Sequence, residues 1–202
     1  MNNYYEQLIE GARLALNSPI IFKSLFIVFI NAFFVRGMLE IQPTIAGEIL
    51  DEGSLGLSLI TAAAGFGALL ASILIGIRKN NNFKIEKMLI PMVLIGLIMS
   101  SILAFTNNLY LMSFLFIFVG FSTTVVGIGT QTIIQLEVDD LFRARVLTWW
   151  SSTSFGALTI GGILLGSMGE FIPLNLGMLI MPILGFFIFK IILFYKFENR
   201  FN

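Results

Sequence analysis

LYLMSFLFIFVGFSTTVVGIGTQTII, residues 109–134, contains no charged side chain. A helix needs about 20 mostly apolar residues to cross the hydrocarbon core of a bilayer, and this stretch exceeds that length. Its portion 111–119 lacks the period-two alternation of apolar and polar residues that a membrane β-strand requires. The stretch therefore reads as a transmembrane helix.

Charge-poor runs of similar character flank it on both sides. Residues 20–46, 55–77, 88–105, 146–167 and 171–195 join 109–134 to give six expected spans. The predicted fold is thus an all-α integral membrane protein, organised as residues 1–18, a cytoplasmic amphipathic helix; 19–197, a six-helix transmembrane domain; and 198–202, a short cytoplasmic tail. Composition agrees with this division. With 57% hydrophobic and 12% charged residues and a mean hydropathy of +0.93, the chain has too little polar side chain to cover a water-exposed globule of its size.

The formal net charge is zero, but the charges are segregated. With the N-terminus inside, Arg13, Lys23, Arg78, Lys79, Lys84, Lys87, Arg143, Arg145, Lys190, Lys196 and Arg200 fall at the inner surface, and no cation lies in an outer loop. Outer loops carry Glu48, Asp51, Glu52 and Glu170 instead. The pattern obeys the positive-inside rule and places both termini in the cytoplasm, as expected for a multi-pass protein of the cell (inner or plasma) membrane.

Several function classes are disfavoured by the residue inventory. Cysteine and histidine are absent, so disulfides, thiolate nucleophiles, Ser-His dyads and His- or Cys-ligated metals cannot form. No enzyme activity, cofactor or metal is expected. The basic loops are short and are accounted for by orientation, so no nucleic-acid partner is expected either.

Toward the N-terminus, Tyr4, Tyr5, Leu8, Ala12 and Ala15 or Leu16 recur at helical spacing opposite Glu6, Gln7, Glu10 and Arg13, which predicts an amphipathic helix on the inner membrane surface. Asn17-Ser18-Pro19 ends it and starts the first span. Tyr110, Trp149, Trp150 and Tyr195 fall at span ends and read as interfacial anchors. Ala64, Ala68, Ser72 and Gly76 form a small-residue row on the second span, and Gly162 and Gly166 form another on the fifth, both expected to pack helix on helix.

Arg36 and Glu40 are the ionisable residues placed well inside a span, four apart and so on one helical face. A charge at that depth costs about 2.5–3.5 kcal/mol on the milder insertion scale, so each should face protein or water. Mutual pairing is one account of them. The other is substrate or proton handling, since Pro43 lies one turn further on and broken helices bearing buried charge recur at transporter sites. In that account Glu40 takes and releases a proton while Arg36 contacts it or an anionic group. Thr124, Gln131 and Gln135 form a polar row on the fourth span that should face other helices or a cavity. Between spans four and five, QLEVDDLFRARV (135–146) mixes both charge signs, which fits either an ion-pair network that holds a conformational state or simple solvated charge.

That loop resembles the one before the eleventh helix of the major facilitator superfamily, in its enterobactin-exporter-like and multidrug-exporter-like branch, where it reads approximately Gln-x-x-Val-Pro-Asp-x-x-Arg-Gly-Arg-Val. The matching positions are Gln135, Val138, Asp140, Arg143, Arg145 and Val146, with Asp139 in place of Pro and Ala144 in place of Gly. Glu10 to Pro19 is similar to the segment leading into that family's seventh helix, and Gly56 to Leu70 to its eighth. Arg78-Lys79 is similar to its basic gating loop, without the usual Asp. The resemblance implies one half-bundle of two inverted three-helix repeats, working in the lipid bilayer on a small-molecule substrate. The expected function is that of a half-size secondary transporter, performing proton-coupled efflux together with an N-terminal half chain or as a homodimer. The alternative is a truncated or degenerate half acting as a non-transporting membrane or accessory protein. Arg36, Glu40, Thr124 and Gln131 are the expected substrate or proton-coupling residues, and Asp140, Arg143, Arg145 and Arg78 the expected gating residues.

Overall fold

A computed structural model describes residues 4–78 and 85–197, with side chains from 9 to 77 and from 85 to 191. The tail 198–202, Lys79, Lys84 and the side chains of Arg78 and Tyr195 lie outside the described residues. Among those described there is no strand. Among the described residues, seven long helices order the chain: α1 (Tyr4–Asn17), α2 (Pro19–Glu40), α3 (Gly53–Arg78), α4 (Glu86–Leu103), α5 (Leu109–Glu137), α6 (Asp140–Met168) and α7 (Leu174–Phe197).

Their starts follow from local chemistry. Before α2, the Ser18 hydroxyl accepts from the Ile21 N–H at 3.4 Å and Pro19 occupies the first turn, where its missing N–H costs nothing. Before α5, the Asn108 side chain accepts from the N–H groups of Tyr110 and Leu111, both at 3.0 Å. Asp139 and Asp140 sit at the positive end of α6, which suits their charge. With α5 running to Glu137 and α6 starting at Asp140, the charged 135–146 segment is mostly helical. Only Val138 and Asp139 separate the two helices.

Five helices among the described residues are long and apolar enough to cross a membrane: α2, α3, α4, α5 and α7. At 29 residues, α6 is as long as α5. Its middle, residues 151–162, is rich in serine, threonine and glycine, which dilutes its apolarity.

The core gathers Ile27, Val35 and Met38 of α2, Val93 and Leu97 of α4, Phe116 and Val126 of α5 and Met178 of α7. α2 and α5 are therefore central. A smaller apolar cluster of Ala15, Ile21, Ile134, Val138 and Val146 closes one end, where α1 docks. The helix expected at residues 1–18 forms as α1. Gly11 and Ala15 are buried, and a Cβ on Gly11 would stand 3.1 Å from that of Arg145, whereas Ile9 and Leu16 are exposed. The helix packs on α6 through its smallest residues, because only these let the two backbones approach.

Among the described residues, backbones approach most closely at two further crossings. Between α3 and α5, a Cβ on Gly67 would collide with the carbonyl of Ile117, and one on Gly120 with that of Ala64. Between α2 and α6, a Cβ on Gly161 would collide with the carbonyl of Phe33, and one on Gly37 would lie 3.1 Å from the carbonyl carbon of Gly161. The packing face of α3 is thus Gly56, Ile60, Gly67 and Ala71, all buried. Of the expected row, Ala64 and Ala68 are half-buried, while Ser72 and Gly76 are exposed. Side chains on α3 pack according to where α5 lies, which spacing alone does not specify.

Candidate functional site

α2 is not a regular helix. Its α-helical part, Pro19–Asn31, passes into a π-helical turn at Ala32–Arg36, and a short α-helical turn, Gly37–Glu40, follows. The chain then breaks at Ile41 (φ −95°, ψ 9°), just before Gln42 and Pro43. A second π-helical turn spans Ile45–Ile49. Pro43 cannot donate a backbone hydrogen bond, and π turns recur at functional positions in helices.

Arg36 closes the first π turn. It is half-buried, and its Nη1 donates to Ser154 Oγ on α6 at 3.2 Å. Ser154 is 1% exposed. Glu40, one turn on, is exposed, and its Cβ lies 2.9 Å from where a Cβ on Gly162 would be. Among the described residues the ion pairs are Arg143 with Asp140 and Arg145 with Glu10. Arg36 and Glu40 share a helical face without forming such a pair; the arginine is satisfied across the α2–α6 seam instead.

The remaining expected residues are dispersed. Thr124 and Gln131 are half-buried on α5, and Gln135 is exposed. Among the described residues, neither Thr124 nor Gln131 has a hydrogen bond to Arg36 or Glu40. At the α1 end, Arg143 pairs with Asp140 at 2.6 Å and also donates to the Val138 carbonyl at 3.4 Å. Arg145 takes a different partner, bonding to Glu10 of α1 while its guanidinium lies over the Phe142 ring at 5.4 Å from the centroid. The single loop network expected from sequence is therefore two separate contacts, one local and one that clasps α1 to α6. Arg78 ends α3, away from these pairs in sequence.

Four polar features escaped the sequence reading. Trp150, expected at a lipid boundary, turns inward, and its Nε1–H donates to Thr130 Oγ1 at 3.0 Å. Gln42 is 5% exposed and accepts from Thr61 of α3 at 2.9 Å, which ties the broken end of α2 to its neighbour. Glu10 reads from sequence as a solvated charge on α1. The fourth is Asn31, fully buried one residue before the π turn, with both amide atoms lacking a partner. An unpaired buried donor or acceptor costs about 1–3 kcal/mol, and lipid supplies no water to relieve it. The signal was an amide inside the apolar run 26–35.

The bundle of long apolar helices, with a charged residue held by a hydrogen bond inside one of its seams, defines a multi-pass membrane protein. Residues 2–200 match the family model described as transmembrane secretion effector, and the chain belongs to that family of the major facilitator superfamily. Its function class is accordingly membrane transport. No curated protein and no solved structure matches the chain.

Proposed function

We propose that this chain is one half-bundle of a proton-coupled exporter of small molecules, assembled with a second half supplied either by another chain or by a second copy. The observation that carries the reading is the broken α2, with Arg36 held by Ser154 and the Glu40 carboxylate left exposed one turn further on. A carboxylate exposed on a membrane span requires a wet surface, and a cavity closed by a second half supplies one. Thr124 and Gln131 would line that cavity. Arg145, Arg143, Asp140 and Arg78 would hold its cytoplasmic end closed.

In this reading α6 is the remaining span, which makes six, with both termini cytoplasmic. Its 29 residues reach about 43 Å at 1.5 Å per residue, and its Ser154, Gly161 and Gly162 face α2. The two glycine crossings also support inverted repeats of α2–α4 and α5–α7. Under such an inversion α2 exchanges with α5 and α3 with α6, so the α3–α5 crossing maps onto the α6–α2 crossing.

Native mass spectrometry of the gently extracted complex, followed by transport in proton-loaded vesicles, tests the reading. We expect two half-bundles per particle and at least about tenfold slower gradient-driven export for Glu40→Gln, with assembly unchanged. A strictly monomeric particle that moves no substrate, or a Glu40→Gln variant with the wild-type rate and pH dependence, would overturn it.

A further inference from the structure

We infer that the outer edge of α1, formed by Ile9, Arg13 and Leu16, is a phospholipid-binding surface, with Arg13 on a headgroup phosphate and the two apolar side chains in the acyl boundary beside it. At about 100° per residue, Gly11 and Ala15 fall on one side of the helix and Ile9, Arg13 and Leu16 on the other. The first pair is buried, Gly11 against Arg145 and Ala15 in the cluster with Ile21, Ile134, Val138 and Val146. The bundle therefore holds α1 by its smallest residues and leaves the opposite edge uncovered. On that edge Ile9 is 61% and Leu16 67% exposed, with Arg13 exposed between them. Of the apolar face expected from spacing, Ala15 turns to protein and Leu16 away from it, while Ile9 lies outside that face.

The attachment of α1 indicates what covers this edge. A single residue, Ser18, joins it to Pro19 of the membrane-spanning α2, so its last turn ends where a span begins. At the same end of the bundle Ile20, Leu136 and Leu141 are exposed as well. An apolar surface that continues from a span into a surface helix is buried by the interfacial layer of a bilayer. The charges then select the headgroup. Glu10, the acidic residue of α1 with a described side chain, is already bonded to Arg145. Among the described residues Arg13 has neither an ion pair nor a hydrogen bond. An arginine flanked by apolar side chains lays its stem along the acyl boundary and offers its planar fork to a phosphate above it.

This inference does not depend on what is transported, and the cysteine-free chain allows a direct test. Single nitroxide labels at Ile9→Cys, Leu16→Cys and, as a wet reference, Glu170→Cys are compared in phosphatidylcholine nanodiscs by collision with oxygen and with a water-soluble nickel chelate. All three positions are exposed, so none of the substitutions opens the core. Labels at 9 and 16 should be at least about fivefold less accessible to nickel than the label at 170 while staying open to oxygen, as in an acyl environment. Arg13→Gln should raise their nickel accessibility about twofold, Arg13→Lys should restore most of the shielding, and neither should matter in maltoside micelles, which carry no phosphate. Nickel accessibility at 9 and 16 equal to that at 170 overturns the inference. Shielding from both reagents that is lost when each nanodisc holds a single chain assigns the edge to a second half-bundle and overturns it too. Labels in phosphatidylcholine that ignore Arg13→Gln overturn the phosphate contact.

Discussion

At the α3–α5 crossing, Gly67 meets the carbonyl of Ile117 and Gly120 that of Ala64; at the α2–α6 crossing, Gly161 meets the carbonyl of Phe33 and Gly37 meets Gly161. Both use glycine because lipid gives no hydrophobic push between helices, so association relies on close backbone packing. The surroundings differ. Around the first crossing both helices are regular, and their contacting residues are apolar or without side chains. Around the second, α2 is interrupted by a π turn and a break, and Arg36, Ser154 and Glu40 crowd the same few turns. A regular apolar joint and an interrupted polar one have been built from the same residue type, and what separates them is the regularity of the backbone on either side.

The comparison is broken most directly at its regular member. Gly67→Leu or Gly120→Leu puts a side chain where a carbonyl already stands, between two helices that have no local way to yield. Each should cost about 3 kcal/mol, at the upper end for overpacked sites. Thermal unfolding in detergent checks this, and a loss below about 1 kcal/mol would mean that the α3–α5 joint is looser than its geometry.

Gly161→Val applies the same insult to the α2–α6 seam and should cost less, about 1–2 kcal/mol, because the interrupted α2 backbone can shift. Its larger consequence should be on transport, since it displaces Arg36 from Ser154. Equal stability losses at Gly120 and Gly161 would show that the two joints are mechanically alike.

A finer cut separates the partners of the seam. Ser154→Ala leaves the half-buried Arg36 guanidinium short of an acceptor and should cost about 1–2 kcal/mol. Arg36→Met removes the charge itself and leaves a hydroxyl that can turn to a backbone carbonyl of its own helix, as Thr148 and Thr159 do on α6. Its effect on stability should be smaller than that of Ser154→Ala. The reverse order would assign Arg36 a packing role and weaken the case for its place in a transport cavity.

How much of this was legible in the sequence follows from range. Apolar length and charge placement are local properties, so the long apolar helices and the helix boundary at Ser18-Pro19 could be read directly. Partner choice is not local. Arg36 pairs with Ser154 rather than Glu40, and Arg145 with Glu10 rather than Asp140, because α6 passes both α2 and α1. Helical spacing puts Arg36 and Glu40 on one face but carries no information about what lies opposite. The π turn was equally hidden, since the run Ala32–Arg36 has no glycine or proline to announce it.

The small-residue row of α3 offers the mildest substitution and the clearest lesson about such patterns. Gly65 and Gly76 have nothing within 4 Å of the place where a Cβ would be, whereas Gly67 has no room for one. Spacing groups Gly76 with Ala64, Ala68 and Ser72, but the buried face of α3 is Gly56, Ile60, Gly67 and Ala71, and of the expected row the Ala64 backbone meets Gly120 of α5. Gly65→Ala and Gly76→Ala should therefore change stability by no more than about 0.5 kcal/mol, with any gain coming from the better helix propensity of alanine. A loss above about 1 kcal/mol at either position would require a neighbour packed on that face. Since no helix among the described residues supplies one, the cost would have to fall with dilution of the complex, which is the mark of a second half-bundle packed on that face.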